Sequence, residues 1–188
     1  MTDSKVLVLV GMPGAGKSTC VDYLATKGLP SVYFGGIVVD ETRRRYGKVS
    51  EELEKGVREE LRAKEGNGAI ARRIIDKIDK LNAAGQNRVV ADGLYSWTEY
   101  KIFKERWGDN AIIVAIAAPR RVRHERLAHR PVRPFTDEEV TQREYNEIEN
   151  IEKGGPIANA DYTIVNSTSA DDLLKQFDAV LAETGFLN

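Results

Sequence analysis

Nine residues near the start of the chain, GMPGAGKST at 11–19, place glycines, a lysine and two hydroxyl side chains directly after the apolar run KVLVLV. This spacing fits G-x-x-x-x-G-K-[ST], a loop whose backbone N–H groups surround phosphates at a helix N-terminus. In such a loop Lys17 reaches the β- and γ-phosphates and Ser18 offers Mg²⁺ a hydroxyl ligand. The sequence therefore predicts ATP and Mg²⁺ as cofactors. The predicted cofactor-binding residues of the loop are Gly11, Gly14, Ala15, Gly16, Lys17, Ser18 and Thr19.

Composition narrows the range of partners. The formal net charge of −1 over 188 residues argues against a broad basic face, so broad nucleic-acid binding is not expected. No apolar stretch approaches the roughly 20 residues of a membrane span, and the start MTDSK lacks signal-peptide character. We expect a cytoplasmic protein with no membrane partner, and the sequence leaves its oligomeric state open. Cys20, the single cysteine, is expected in the core.

The elements that must position the loop are visible as short Val- and Ile-rich runs that alternate with helical patterns. Strands are predicted at 5–10, 31–34, 87–91, 111–116 and 162–165, and core-facing helices at 69–84 and 171–184. The TDEE at 136–139 is a capping box that opens a helix running to about Lys153. We therefore expect residues 1–188 to form one α/β domain of the P-loop NTPase type, with three layers. Its predicted sheet is parallel and five-stranded, in the order 2-3-1-4-5, with helices on both faces.

A phosphate-binding loop does not say what becomes of the γ-phosphate. A GTPase would carry an [NT]-K-x-D guanine signature, which the sequence lacks, and an AAA-type machine would need more chain for its helical lid domain. Arginines are instead concentrated in RHERLAHRPVRPFTDEEVTQREY at 123–145. Because residues four apart share a helix face, two guanidinium groups can lie on either side of one phosphoryl group.

This segment resembles the lid of nucleoside monophosphate kinases of the adenylate-kinase type. The resemblance implies a short lid at about 126–143 in which Arg126 stacks on the ATP base. It further implies that Arg130 contacts phosphate one turn later, that Arg133 lies in the lid and that Arg143 follows on the next helix. Arg130 and Arg143 would be catalytic. Taken singly, each arginine is equally well explained as part of a solvated helix face.

The VVADG at 89–93 resembles the strand and Asp-Gly pair that lie beside the phosphate loop in adenylate kinases. The resemblance implies that Asp92 is a catalytic carboxylate that binds Mg²⁺ directly or through water. Gly93 would let the acceptor approach the backbone closely. A plainer interpretation is that Asp92 caps the next helix.

The phrases GNGAIAR, RHERLAHR and ANADYTIVN extend the likeness over nearly the whole chain. They resemble a small archaeal-type group of adenylate-kinase-related and dephospho-CoA-kinase-like proteins. In such a fold Asn166, at the end of the last strand, would lie near the nucleotide base. The substrate of that group is poorly defined, so the resemblance does not settle which reaction this chain catalyses.

One departure from the resemblance bears on the acceptor. Dephospho-CoA kinases place an aspartate just after the second strand, where this chain has Gly35 and Gly36. A hydroxyl acceptor needs help in losing its proton, whereas a monophosphate is already anionic and needs only positioning and charge neutralisation. The sequence therefore favours a nucleoside monophosphate. Asp40, one turn later, keeps a ribose hydroxyl acceptor open.

The segment at about 36–85 is expected to form a helical insertion on the acceptor side. The predicted acceptor-binding residues are Gly36, Asp40, Arg44, Arg72, Gly93 and Arg133. Some of the arginines in this segment must pair with its glutamates as ordinary surface charge. The aromatic residues Trp97, Tyr100, Phe103 and Trp107 are predicted to pack in the core.

Two other classes of function stay open. A nucleotide sensor would bind ATP tightly without transferring phosphate to a small acceptor. A polynucleotide-end kinase also uses a phosphate loop with a lid, but it normally requires a basic groove.

The substitution Lys17→Ala tests the assignment of the loop. We expect it to abolish phosphoryl transfer and leave the fold intact, because Lys17 neutralises the transferring charge and does not pack in the core. Transfer assays and far-UV circular dichroism of the purified variant check both expectations. Wild-type turnover in Lys17→Ala would contradict the assignment.

Overall fold

The structure is a computed structural model that describes residues 4–131 and 134–188. Its strands are β1 (Lys5–Val10), β2 (Ser31–Tyr33), β3 (Arg88–Asp92), β4 (Ala111–Ala117) and β5 (Tyr162–Val165). They pair in parallel in the order β2-β3-β1-β4-β5, so the predicted order is confirmed.

Strand β1 lies in the middle of the sheet, and its residues 6–10 are almost completely buried. Such a strand is covered by helices on both faces, which explains its unbroken run of Val and Leu. The third strand reaches one residue further than predicted because Asp92 still pairs in register with Leu9 and Tyr33. The second strand stops at Tyr33, because the next helix begins at Phe34.

The helices alternate with the strands along the chain. They are α1 (Lys17–Thr26), α2 (Phe34–Tyr46), α3 (Glu51–Glu65), α4 (Ala69–Ala83), α5 (Trp97–Trp107), α6 (Arg120–Ala128), α7 (Asp137–Glu149), α8 (Gly154–Ala158) and α9 (Ala170–Glu183). The predicted helices at 69–84 and 171–184 correspond to α4 and α9. Helices α2 to α4 occupy the predicted insertion between β2 and β3. In the described part of the chain, no helix combines the length and the apolar character needed to cross a membrane.

The core has two halves, one on each face of the sheet. Side chains of β1 point alternately to the two faces: Val6 and Val8 join a cluster with α2, α3, α4 and α5, whereas Leu7 and Leu9 join a cluster with α1 and α9. Cys20 is fully buried in the second cluster, which confirms its predicted place in the core.

The aromatic residues of α5 divide between core and surface. Phe103 and Trp107 are buried in the first cluster, as predicted. Trp97 and Tyr100 are half-buried, and their rings stack on each other at 4.8 Å between centroids.

Helix α7 begins as predicted but ends early. Thr136 caps it and forms a capping box with Glu139. The expectation that this helix reaches Lys153 was wrong, because α7 ends at Glu149 and Glu152 adopts a left-handed backbone conformation with φ of 56°. This turn lets the backbone N–H of Lys153 donate to the carbonyl oxygen of Glu147 at 3.1 Å. The chain then enters α8 with Lys153 directed into the protein, where it is 2% exposed.

The second half of the core offers a test of stability away from the phosphate loop. Phe177 of α9 is fully buried, with its ring edge-on to Tyr23 at 6.5 Å. We expect Phe177→Ala to lower the free energy of unfolding by about 3 to 5 kcal/mol, through lost transfer free energy and the cavity it leaves. Urea unfolding followed by circular dichroism measures the loss. As a control, Leu187→Ala at an exposed position should change it by no more than about 0.5 kcal/mol.

Candidate active site

The loop between β1 and α1 has the backbone that a phosphate cradle requires. Gly11, Gly14 and Gly16 have φ of 144°, 76° and 108°, values that side chains other than glycine rarely adopt. A Cβ on Gly11 would overlap the carbonyl oxygen of Ile116, and one on Gly16 would overlap the side-chain amide of Asn166. The glycines are therefore needed both for conformation and for close packing against β4 and the end of β5.

Lys17 opens α1 and folds back over the loop. Its Nζ donates to the carbonyl oxygens of Gly11 at 2.8 Å and Met12 at 3.3 Å. Burial lowers the pKa of Lys17 to about 7, and the positive charge of Lys153 acts in the same direction, whereas Asp92 opposes both. A buried ammonium group with this little compensation is stabilised by an anionic ligand.

Asp92 ends β3 beside the loop, since it pairs in register with Leu9 of β1. Burial raises the pKa of Asp92, although the charge of Lys17 works against that shift. Within residues 4–131 and 134–188 no three His, Cys, Asp or Glu side chains group to hold a metal. Mg²⁺ commonly binds through one or two carboxylates together with substrate phosphates. Asp92 and the exposed Ser18 are the side chains that would hold it; bound Mg²⁺ would neutralise phosphate charge.

The two residues predicted to lie near the nucleotide base, Arg126 and Asn166, both contact the phosphate loop. The side-chain amide of Asn166 donates to the carbonyl oxygen of Ala15 at 2.8 Å. Arg126 donates to the side-chain oxygen of Asn166 at 3.2 Å and lies 3.5 Å from the carbonyl oxygen of Gly14. Arg126 and Asn166 therefore form one connected wall of the site against the phosphate loop.

Helices α6 and α7 bring two of the predicted lid arginines together. The guanidinium groups of Arg130 and Arg143 lie over the ring of Phe135, at 4.3 and 5.6 Å from its centroid. Arg143 also donates from Nε to Glu147 at 3.0 Å. Arg133 lies outside the described residues.

A buried arginine that sequence reasoning did not single out connects the two helices to the loop. Arg123 of α6 is 8% exposed and forms an ion pair with the buried Glu144 of α7. It also donates to the carbonyl oxygens of Pro13 at 3.3 Å and Ala118 at 3.1 Å. Arg123 thus fixes the base of the predicted lid against the phosphate loop.

The predicted acceptor residues on the helical insertion have other partners. Asp40 pairs with Lys77 at 3.1 Å and Arg44 with Glu41 at 2.7 Å, and the Arg44 side chain is 71% exposed. Arg72 donates to the backbone carbonyl of Glu65. The structure therefore shows Asp40, Arg44 and Arg72 in contacts of their own helical layer and not with Lys17 or Asp92.

The two glycines among the predicted acceptor residues, Gly36 and Gly93, each lie against a tyrosine ring. Gly93 follows Asp92 with φ of 90°, and its N–H donates to the carbonyl oxygen of Leu9 at 3.2 Å. A Cβ on Gly93 would lie 3.1 Å from the hydroxyl of Tyr95, and one on Gly36 would touch the ring of Tyr33. The hydroxyl groups of these two tyrosines are 3.5 Å apart.

Two charged residues of the site carried no recognisable signal in the sequence. Lys153 forms a 2.5 Å ion pair with Glu147, and its ammonium group lies 4.6 Å from the ring centroid of Tyr95. Both side chains act electrostatically on Lys17. The fragment NIEKGGP matches no motif, and only the turn after α7 brings its lysine inward.

Together these features define a P-loop kinase-like fold with its phosphate loop, a carboxylate at the end of β3 and an arginine-bearing segment after β4. A family model described as AAA domain matches residues 7–152. The UPF0200 protein of Thermococcus kodakarensis is 36% identical over 170 residues, which cover 89% of this chain and 91% of that protein. The chain therefore contains an AAA domain and belongs to the UPF0200 family.

A second relative is longer. The UPF0200/UPF0201 protein of Archaeoglobus fulgidus is 34% identical over 183 residues, which are 95% of this chain and 55% of that protein. The chain thus spans about half the length of this relative.

Solved kinases share the fold at low sequence identity. Shikimate kinase from Aquifex aeolicus superposes with a TM-score of 0.54 at 21% identity, over 96% of this chain and 98% of that one. A gluconokinase from Sinorhizobium meliloti gives a TM-score of 0.59 at 16% identity, over 97% and 94%. At these identities the likeness concerns the fold alone.

The pKa of Lys17 predicts proton uptake when nucleotide binds. With a pKa of about 7, Lys17 is mostly neutral at about pH 8, and the phosphates of ATP should restore its charged form. We expect uptake of up to about one proton, read from calorimetric binding enthalpies in buffers of different ionisation enthalpy. Lys17→Arg, whose guanidinium stays charged, should take up much less. Equal uptake by wild type and Lys17→Arg would contradict the prediction.

Proposed function

We propose that this protein transfers the γ-phosphoryl group of Mg²⁺-bound ATP to a small nucleotide acceptor, a nucleoside monophosphate. The observation that carries the proposal is a concentration of charged groups at the carboxyl ends of β1 and β3. Lys17, Arg143 and Lys153 supply three cations there, and Asp92 and Glu147 supply two carboxylates.

The donor side of the proposal rests on the loop. Its glycine backbone and the N-terminus of α1 suit the phosphates, and Lys17 suits the γ-phosphate. We assign the base of ATP to the side of Arg126 and Asn166, which are hydrogen-bonded to each other and to the loop at Ala15. Phosphoryl transfer needs positioning and neutralisation of spread negative charge more than covalent participation by the protein.

The carboxylates Asp40 and Glu147 bear on whether the acceptor is a hydroxyl group or a phosphate. Asp40 pairs with Lys77, and Glu147 is held by Lys153 and Arg143. Burial opposes the ionised form of Glu147, but the two cations overcome that effect and keep its pKa below the usual carboxyl value. Neither carboxylate suits the deprotonation of a hydroxyl group. A monophosphate acceptor is already ionised and requires no base.

One observation favours a second candidate, phosphorylation of a ribose hydroxyl as in dephospho-CoA kinases. Burial raises the pKa of Asp92, and a carboxylate with a raised pKa is a better base. This candidate requires Asp92 to accept the hydroxyl proton as well as to hold Mg²⁺.

The deciding experiment is a transfer assay with ATP labelled in the γ-phosphate and Mg²⁺. Nucleoside monophosphates are compared with dephospho-CoA as acceptors, and the labelled products are separated. We expect label in a nucleoside diphosphate. Label in CoA would favour the second candidate, and label only in inorganic phosphate would favour a slowly hydrolysing sensor. Lys17→Ala supplies the background rate.

The arginines over Phe135 provide a test that separates a kinase from a passive nucleotide binder. If Arg130 and Arg143 contact the transferring group, they should stabilise the transition state more than bound ATP. We expect Arg130→Ala or Arg143→Ala to lower kcat at least about 10²-fold and to change ATP affinity much less.

The matched control is Arg121→Ala, on the exposed face of α6, which should leave kcat within about twofold. Steady-state kinetics and calorimetry of ATP binding give the two quantities. If Arg143→Ala lowers affinity and turnover by equal factors, or changes neither, the assignment of the lid is wrong.

A further inference from the structure

Lys153, in the turn between α7 and α8, is unusually buried for a lysine. It precedes α8 by one residue, and its side chain is 2% exposed. The left-handed turn at Glu152 and the hydrogen bond from the Lys153 N–H to the carbonyl oxygen of Glu147 fix its direction. Burying an ammonium group carries a large free-energy cost unless it is paired.

The partners of Lys153 belong to the candidate active site. Its Nζ pairs with Glu147 at 2.5 Å and lies over the ring of Tyr95 at 4.6 Å. Tyr95 packs against Gly93, the residue that follows Asp92. Lys153 therefore lies above the carboxyl end of β3, beside which the phosphate loop begins.

Lys17, Lys153 and Arg143 lie close enough for their charges to act on one another. Burial lowers the pKa of Lys153, although Glu147 opposes that shift, and Arg143 adds to it. The charge of Lys153 in turn lowers the pKa of Lys17. Close like charges of this kind are unfavourable in the protein alone and favourable once a polyphosphate lies between them.

An alternative is that Lys153 and Glu147 only hold the end of α7 in place. A buried ion pair is poor evidence for stability, because uncharged residues of similar volume often replace such a pair without loss. The structural interpretation also leaves unexplained why the charge of Lys153 acts on Lys17, whose charged form it disfavours.

We propose that Lys153 is a second phosphate-contacting lysine of the site, which exchanges Glu147 for the transferring phosphoryl group. The inference deepens the proposed function and rests on it. In the step, the bond from the γ-phosphorus to the β,γ-bridging oxygen breaks, and its electron pair stays on ADP. A phosphate oxygen of the acceptor forms the new bond to phosphorus. Lys153 keeps its proton and neutralises charge on the equatorial oxygens.

Four variants separate the two interpretations: Lys153→Met, Lys153→Arg, Glu147→Gln and the double variant Lys153→Met with Glu147→Gln. Lys101→Met, an exposed lysine of α5, is the matched control. For each protein, calorimetry measures the affinity for ADP with Mg²⁺ and for ADP with Mg²⁺ and aluminium fluoride, which mimics the transferring group. Thermal unfolding checks that each variant is folded, and the transfer assay gives kcat.

We expect Lys153→Met to weaken binding of the aluminium fluoride complex at least about tenfold and binding of ADP by no more than about threefold. Its kcat should fall at least about 10²-fold. The double variant should be folded and equally impaired, whereas Lys153→Arg should recover part of the affinity for the complex. Glu147→Gln should keep that affinity within about threefold, since Lys153 remains available.

The structural interpretation predicts the opposite pattern. Both single variants would lose stability and activity alike, and the double variant would recover them. That result, or an unchanged affinity of Lys153→Met for the aluminium fluoride complex, would overturn the inference. Because the complex needs no acceptor, the affinity ratio tests Lys153 even if no nucleoside monophosphate is phosphorylated, an outcome that would refute the proposed function alone. A wild type that binds the complex no more tightly than ADP would overturn both.

Discussion

The parallel pairing of β1 with β3 and β4 is the constraint on which the site depends. Because all three strands run in one direction, the segments that follow them leave the sheet at the same edge. The register sets Leu9 beside Asp92, so the phosphate loop after β1 and the carboxylate at the end of β3 lie together without any long-range adjustment. Residues in strands fully covered by helices have little freedom to shift, and this rigidity positions the groups that follow them.

Charged side chains are concentrated at this edge of the sheet. The loop, Lys17, Arg143 and Lys153 collect positive charge in a partly buried volume, and Asp92 and Glu147 compensate only part of it. Burial lowers the pKa of Lys17 and of Lys153, and the neighbouring positive charges act in the same direction. Concentrating cations in a preformed arrangement is useful where a ligand brings several negative charges, since no reorganisation is then needed when charge develops.

The arginine-bearing segment is tied to this edge through its buried face. Arg123 reaches the loop at Pro13 and binds Glu144 of α7, while Arg126 reaches the loop through Asn166. With α6 and α7 held in this way, the guanidinium groups of Arg130 and Arg143 both lie over the ring of Phe135.

The sequence by itself determined the phosphate loop and the cap of α7, because each depends on residues a few positions apart. It also determined the strand order, because alternating strands and helices with right-handed crossovers allow few arrangements. Asn166 and Arg126 could be placed at the loop only through a resemblance. Glu147, Lys153 and the tyrosine pair at Tyr33 and Tyr95 were not predictable. The contacts of Tyr95 with Tyr33 and Lys153 join segments far apart in the chain, as does the pairing of Asp40 with Lys77. Glu147 meets Lys153 because the left-handed turn at Glu152 directs that lysine inward. Contacts of this kind depend on how the helices and strands pack against one another, and the tertiary structure alone decides that.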